Sequence, residues 1–348
     1  MGTITESAKA FMPKLSEIRR DFHIHPEVSQ HEERTGKKVA EYLKEMGCDE
    51  VYENVGGYGV VGVIKGKKPG KVVALRADMD ALQIQEMNEV PYKSQNDGVM
   101  HACGHDNHMT GLLGAAMLLC ERREEIAGTV KLIFQPAEEM SPVGGSRGML
   151  HSGYMDDVEA VFGLHVWPDL PHGKIGVKAG PLMAASDHFT INIHGKTAHG
   201  AKPNQGIDAV VLGSQFVMAA QTIVSRKVDP LDNAVVTFGI FNAGTRYNII
   251  AGDCTLDGTV RTLNEDTRAM IEDSMKKTLD GLCLQSGATA DINYGHGYPA
   301  LVNHEEDAEL IRNTAIKLFG KDDVVDVKLP AMPAEDFSFY LTDRKSNV

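Results

Sequence analysis

The sequence predicts an α/β protein of two domains, with the second inserted into the first. Three observations carry this expectation. Short apolar, β-rich runs alternate with helical runs through the first half of the chain, the order that builds an α/β domain with a largely parallel sheet. From about Asp187 the pattern becomes a strict alternation, and a β-α-β-β-α-β order follows that can bury its own core. At 348 residues the chain is also longer than one typical domain of roughly 100–200 residues.

The elements follow in order. Ala8, Phe11, Met12, Leu15, Ile18 and Phe22 recur mostly at three- and four-residue steps, which gathers them on one face of a first helix. A second helix is expected over residues 32–46, stopped by Gly47. Residues 72–75, 130–134 and 160–164 read as buried strands, and 111–120 lie in an apolar helix between two of them. Beyond Asp187, the apolar residues Phe189, Ile191 and Ile193 alternate with polar neighbours, as in a half-exposed strand. A helix over 207–226, strands near 234–241 and 254–261, a helix over 265–286 and a strand over 290–294 complete a ferredoxin-like unit. The expected domains are therefore residues 1–181 with 295–348, which include a helix over 307–319, and the insert at 182–294.

Composition excludes several functions. A formal net charge of −13 and the lack of any basic tract argue against a nucleic-acid partner, since phosphates demand a basic surface. No apolar run approaches the ~20 residues that span a bilayer. The opening MGTITESAKAFMPKL lacks the apolar stretch of a signal peptide, and the myristoylation pattern at Gly2 fails at Glu6. Five widely spaced cysteines without a CxxC pair suit reduced thiols, so a soluble cytoplasmic protein is expected.

Three polar clusters stand where buried strands should end, which is where α/β proteins build their sites. They are Asp78-Met79-Asp80, Glu138-Glu139 and His165. Between the first two lies HACGHDNH, from His101 to His108. An acidic pair ordinarily faces solvent, and a lone histidine after a strand ordinarily makes structural hydrogen bonds. Thiolate, imidazole and carboxylate donors as close together as in HACGHDNH instead suit a divalent metal. The segment is not HExxH, so no helical zincin site is implied. His23 and His25, after the first helix, read as structural. Together the clusters point to a metal site at one end of one sheet.

The chain resembles the hippurate hydrolase and N-acyl-amino-acid amidohydrolase family, relatives of aminoacylase and of the indole-acetyl-amino-acid hydrolases. The matching stretches are RRDFHIHPE at 19–27, LRADMDAL at 75–82, MHACGHD at 100–106, FQPAEE at 134–139 and GLHVWP at 163–168. They continue in one order with GKTAHGAKP at 195–203, GTVRT at 258–262 and AEDFSFYL at 334–341. The resemblance implies a zinc-peptidase-like catalytic domain with two divalent metals, zinc or manganese, with cobalt or nickel as further options. It implies Cys103, His105, Glu139 and His165 as ligands, Glu138 as the catalytic base, and Asp80 as the carboxylate supporting the centre. It also implies a homodimer formed through the insert, with His199 reaching the partner subunit's site and Asn248 lining that site.

The expected reaction is deacylation of an N-acyl-L-amino acid by a metal-activated water, with Glu138 moving the proton and His199 stabilising the oxyanion. Arg261 is the candidate partner of the substrate carboxylate. A dipeptidase or carboxypeptidase on the same scaffold, and a metal-binding protein with little turnover, stay open as alternatives. In the family, the segment resembling AEDFSFYL is followed by dozens more residues with one further metal-binding histidine. Here only residues 342–348 follow, so a truncated chain with a weakened second metal site is expected.

Overall fold

In the computed structural model, which describes residues 3–343, Thr3 and Glu6 cap each other reciprocally and start α1 (Ile4–Ile24). The expectations that rest on Gly2 and on residues 344–348 lie outside the described residues. By contact, the chain divides into two units: residues up to 177 with 310–326 and those from 339 on, and residues 178–309 with 327–338.

In the first unit, α1 turns Ile18 and Phe22 inward, and α2 (Glu33–Glu45) does the same with Val39, Ala40 and Leu43. The strands are β1 (Glu50–Val55), β2 (Gly59–Lys65), β3 (Lys68–Asp78), β4 (Ala127–Gln135) and β5 (Ala160–Gly163). Helix α3 (His105–Glu121) lies between β3 and β4 in the chain, and α4 (Ser146–Leu150) between β4 and β5. The core joins Ile18, Phe22, Leu43, Ile64, Leu113 and Phe134 from both helices and strands. Each such side chain, fully buried, stabilises the fold by about 1.5–3 kcal/mol.

The strand order is β1-β2-β4-β3-β5. Only β3 with β4 and β3 with β5 are parallel; β1, β2 and β4 pair antiparallel. The sheet is thus mixed, not largely parallel as expected. Only Gly56, Gly57 and Tyr58 join β1 to β2, which is too short for the crossover that parallel strands require. A short strand β6 (Ile175–Val177) closes this stretch.

The second unit opens with β7 (Gly180–Met183), β8 (Ala185–His194), β9 (Ala198–His199) and α5 (Ala209–Arg226). It continues with β10 (Ala234–Ala243), β11 (Ile249–Ile250), β12 (Asp253–Thr262), α6 (Glu265–Ser286), β13 (Thr289–His296) and β14 (Leu301–Asn303). Strands β10-β12-β8-β13 form one antiparallel sheet. The alternation in β8 sends Phe189, Ile191 and Ile193 to a core shared with Phe216 of α5 and Ile271 and Met275 of α6. Both helices start on side-chain caps, Asp208 for α5 and Asn264 for α6. Helix α7 (Glu305–Phe319) runs across the division between the units, β15 (Val324–Asp326) pairs β6 in parallel, and α8 (Ser338–Thr342) follows. Among the described residues no helix is long and apolar enough to cross a membrane. All five cysteines are unbridged.

Candidate metal centre

The register of the first sheet brings the donors together. Asp78 at the end of β3 stands opposite Gln135 at the end of β4, and Arg76 opposite Gly163 at the end of β5. The chain leaves these three carboxyl ends into Met79-Asp80, Glu138-Glu139 and His165. His105 is the first residue of α3, and its cap, Gly104, has φ +91°. A Cβ at Gly104 would lie 2.5 Å from Val166 Cγ2, so only glycine lets Cys103 and His105 turn together towards the strand ends.

His105 and the two aspartates are buried at the centre of the resulting contacts, with Cys103, Glu139 and His165 half-buried around them. His105 Nδ1 is 3.2 Å from Asp80 Oδ1, while its Nε2 is 3.6 Å from Asp78 Oδ2 and 3.9 Å from Glu139 Oε1. Cys103 Sγ is 3.5 Å from His165 Nε2. His165 Nδ1 donates to the Val166 carbonyl at 2.5 Å, which leaves Nε2 as the nitrogen on the Cys103 side. Donor atoms of Cys103, His105 and His165 lie within 4.8 Å of one another, as do those of His105, Glu138 and Glu139. Asp78, His105 and His108 form a third such group. His108 is occupied, however. Its Nδ1 donates to Asp78 Oδ1 at 2.6 Å and its Nε2 accepts from the Val166 N–H at 3.0 Å.

His105 Nε2 and Glu139 Oε1 are buried and make no hydrogen bond, and His105 Nδ1 and Asp80 Oδ1 have only their ion-pair contact with each other at 3.2 Å. An unsatisfied buried polar atom costs about 1–3 kcal/mol. His105 Nε2 and Glu139 Oε1, left so side by side, are free to take a further ligand. One thiolate, two imidazoles and carboxylates match the donors that zinc and similar ions take, and groups sharing His105 suit a pair of ions.

Electrostatics agree. Burial works against the charge on Asp78, but Arg76, His105 and His108 outweigh it and hold the carboxyl well below the usual range. Burial likewise opposes charge on His105, yet Asp78, Asp80 and Cys103 raise it well above an ordinary histidine. Burial pushes the Cys103 thiol and the Glu139 carboxyl up. A divalent ion reverses that last pressure, because it favours thiolate and carboxylate directly.

Residues around the donors are engaged in support. Asp80 Oδ2 accepts from Ser29 Oγ at 2.6 Å and from the Glu139 N–H at 3.0 Å. His23 bonds Asp106 at 2.7 Å and Glu86 at 3.3 Å, and His25 bonds the Asp21 carbonyl at 2.9 Å, both structural contacts. Sequence reasoning passed over Ser29, and Asp78 stood in its cluster without a role. No local pattern marks Ser29, whereas Asp78 could have been found from its place at a strand end. Neither ring nitrogen of buried His101 is hydrogen-bonded, and burial lowers its pKa to about 4.

His199, Asn248 and Arg261 belong to the second unit. His199 on β9 pairs with Ile249 of β11, and the Gly200 N–H donates to the Asn248 carbonyl at 2.9 Å, so the first two are neighbours. His199 is exposed, and its Nδ1 accepts from the Ala201 N–H at 3.1 Å. Arg261 on β12 bonds Thr259 Oγ1 and, at 3.2 Å, the Val260 carbonyl.

Comparison with known proteins places the chain in a family. The N-acyl-L-amino acid amidohydrolase of Geobacillus stearothermophilus is 44% identical over 288 residues, covering 83% of this chain and 77% of that protein. Thermostable carboxypeptidase 2 of Saccharolobus solfataricus is 41% identical over 329 residues, with 94% and 82% covered. The crystal structure of the Bacillus subtilis YXEP protein, described as a dinuclear metal binding peptidase from the M20 family, superposes with a TM-score of 0.84 at 38% identity, over 95% of this chain and 86% of that one. Residues 74–347 match the model of peptidase family M20/M25/M40, so the chain is a metal-dependent hydrolase and belongs to that family.

Proposed function

We propose that the chain hydrolyses the amide bond of N-acyl-L-amino acids, giving a carboxylic acid and a free amino acid. The observation that carries this reading is Glu138 beside His105 Nε2 and Glu139 Oε1, both buried and without a hydrogen bond. Cys103, His105, Glu139 and His165 would hold the divalent pair, zinc or manganese, with cobalt or nickel acceptable to the same donors. Such ions, when bound, supply Lewis acidity that lowers the pKa of water from 15.7 to ~7 and draws charge from a carbonyl. Glu138 takes a proton from the attacking water and returns it to the amine nitrogen as the C–N bond breaks. Asp80, 3.2 Å from His105 Nδ1, orients that ring.

The second unit would complete the site across a homodimer. Its β-α-β-β-α-β order and β10-β12-β8-β13 sheet support a ferredoxin-like dimerisation insert at 182–294. Edge strand β10 exposes Val235, Ile240 and Phe241, a surface suited to pairing about a two-fold axis. Because His199 Nδ1 accepts a hydrogen bond, its proton sits on Nε2, which can donate to the oxyanion in the partner subunit's site. Asn248 lines that site, and Arg261 pairs with the substrate carboxylate. Five unbridged thiols suit a cytoplasmic setting.

The carboxypeptidase relative at 41% identity favours one second reading, peptide hydrolysis. A screen of N-acetyl and N-benzoyl amino acids beside dipeptides, with zinc, manganese, cobalt and nickel supplied separately, separates the two. Turnover confined to dipeptides would move the assignment to a peptidase. Metal binding without turnover of either panel would leave a binding protein.

A further inference from the structure

The loop that carries Glu138 and Glu139 begins with a strained residue. Ala137 has φ +56°, in the left-handed region that costs a residue with a Cβ about 1–2 kcal/mol. Two neighbours hold it there. On one side Gly145 packs so tightly that a Cβ on it would lie 1.7 Å from the Pro136 carbonyl oxygen. On the other, the Ala137 N–H donates to Glu32 Oε1 at 2.7 Å, and Glu32 is wholly buried. Glu32 comes from a segment more than a hundred residues away in sequence. That same segment sends Ser29 Oγ to Asp80 Oδ2, the oxygen that also accepts the Glu139 N–H.

Resting on the roles proposed above for Glu138 and Glu139, we infer that Glu32 is a positioning residue, whose side-chain carboxyl oxygen locks Ala137 in the turn that aims the base and its neighbouring ligand. Ser29 through Glu32 then acts as one clamp on two loops, at Asp80 and at Ala137. A buried acid with a purely structural duty would affect stability alone. A positioning acid must also change how the loop holds metal and moves protons.

The test uses the full chain and zinc as the probe. Zinc affinity of the apo protein is read by competition with a chromophoric chelator, beside kcat and KM for an N-acyl amino acid. Glu32→Gln keeps an oxygen acceptor for the Ala137 N–H; Glu32→Met keeps the size and loses it. Glu32→Met should lower zinc affinity and kcat by ~10–100-fold, as loss of a supporting partner does, while KM moves less than about threefold. Glu32→Gln should stay within about threefold of wild type in all three. Ala137→Gly added to Glu32→Met should recover part of the loss, because glycine adopts the turn without being held. Equal losses in the Gln and Met variants, wild-type values in the Met variant, or no recovery with Ala137→Gly would each overturn the inference. Should Glu32→Met fail to fold, Glu32→Gln decides alone, and a loss of about tenfold or more in zinc affinity overturns it. Glu138→Gln separates the two levels. If it turns over normally the base assignment fails, while the zinc readout still judges Glu32.

Discussion

Replacing Gly104 with alanine should damage the centre through two separable effects. The first is backbone strain, since φ is +91° and a residue with a Cβ costs about 1–2 kcal/mol there. The second is contact. The new Cβ would meet Val166 Cγ2 at 2.5 Å, and overpacking of this kind typically costs ~1–3 kcal/mol. The sum, about 2–5 kcal/mol, is a large share of the ~5–15 kcal/mol that holds a typical fold. The chemistry should suffer as well. Val166 donates its N–H to His108 and accepts from His165 Nδ1, so pushing it aside turns His165 from Cys103. A loss of ~10–100-fold in zinc affinity is expected. Val166→Ala removes Cγ2 from a partly exposed side chain and should itself cost no more than about 0.5 kcal/mol. In the double variant the contact cost should vanish and the backbone cost remain. Urea unfolding and chelator competition on the four proteins measure both parts. If Gly104→Ala matches wild type, or if Val166→Ala rescues nothing, the account of this turn is wrong.

Four further outcomes are expected. Glu138→Gln should hold metal but lose ~10²–10⁴-fold in turnover; near-normal rates in metallated protein would remove Glu138 from the mechanism. Mixing inactive His199→Ala with inactive Glu138→Gln should restore some activity if the histidine acts in trans, and none appearing after proven subunit exchange would count against that. The hydrogen bond to Asp106 raises the His23 pKa despite burial, so its contribution is full below ~6.5 and fades as pH rises through the raised folded value. The melting deficit of His23→Gln should therefore shrink at alkaline pH; a constant deficit contradicts it. In the second unit Arg268 and Asp187 are buried together with Nη2 and Oδ1 2.5 Å apart, so Arg268→Met should cost about 3–5 kcal/mol in urea unfolding by stranding a buried carboxylate.

The meeting of the candidate donors was legible in the sequence where chain proximity or strand order brings them together. Cys103 and His105 flank one glycine, and the ends of β3, β4 and β5 follow from the alternation of apolar runs with helical ones. Helix α6 falls at Glu265–Ser286 because Asn264 caps it and Gly287, at φ +75°, stops it, both local signals. Strand direction was not legible. A fully buried run such as β2 carries no mark of which neighbour it joins or in which sense, so the mixed sheet needed the structure. His108 read like its neighbours as a possible donor, but hydrogen bonds to Asp78 and Val166 use both its nitrogens. Glu32 lay in a segment with no chemical pattern, because its partner is a backbone N–H that any sequence supplies.

Two turns with positive φ fall among the candidate donors, and different residues solve them for physical reasons. At Gly104 the wall is a side chain at 2.5 Å, so no Cβ fits and glycine is required. At position 137 an alanine stands, at a backbone cost of about 1–2 kcal/mol. Burial raises the Glu32 pKa to about 7, so near neutral pH its bond to Ala137 contributes between the ~0.5–1.5 kcal/mol of a neutral hydrogen bond and the ~1.5–3 kcal/mol of a charged one, the same size as that strain. A glycine at 137 would need no such offset, but it would leave the Glu138-Glu139 segment freer to move in both folded and unfolded states. Alanine with a buried acceptor holds the segment that carries the proposed base and its neighbouring ligand. On the positioning role proposed for Glu32, the strain at Ala137 is the cost of aiming Glu138 and Glu139, met by an acid 105 residues earlier in the chain.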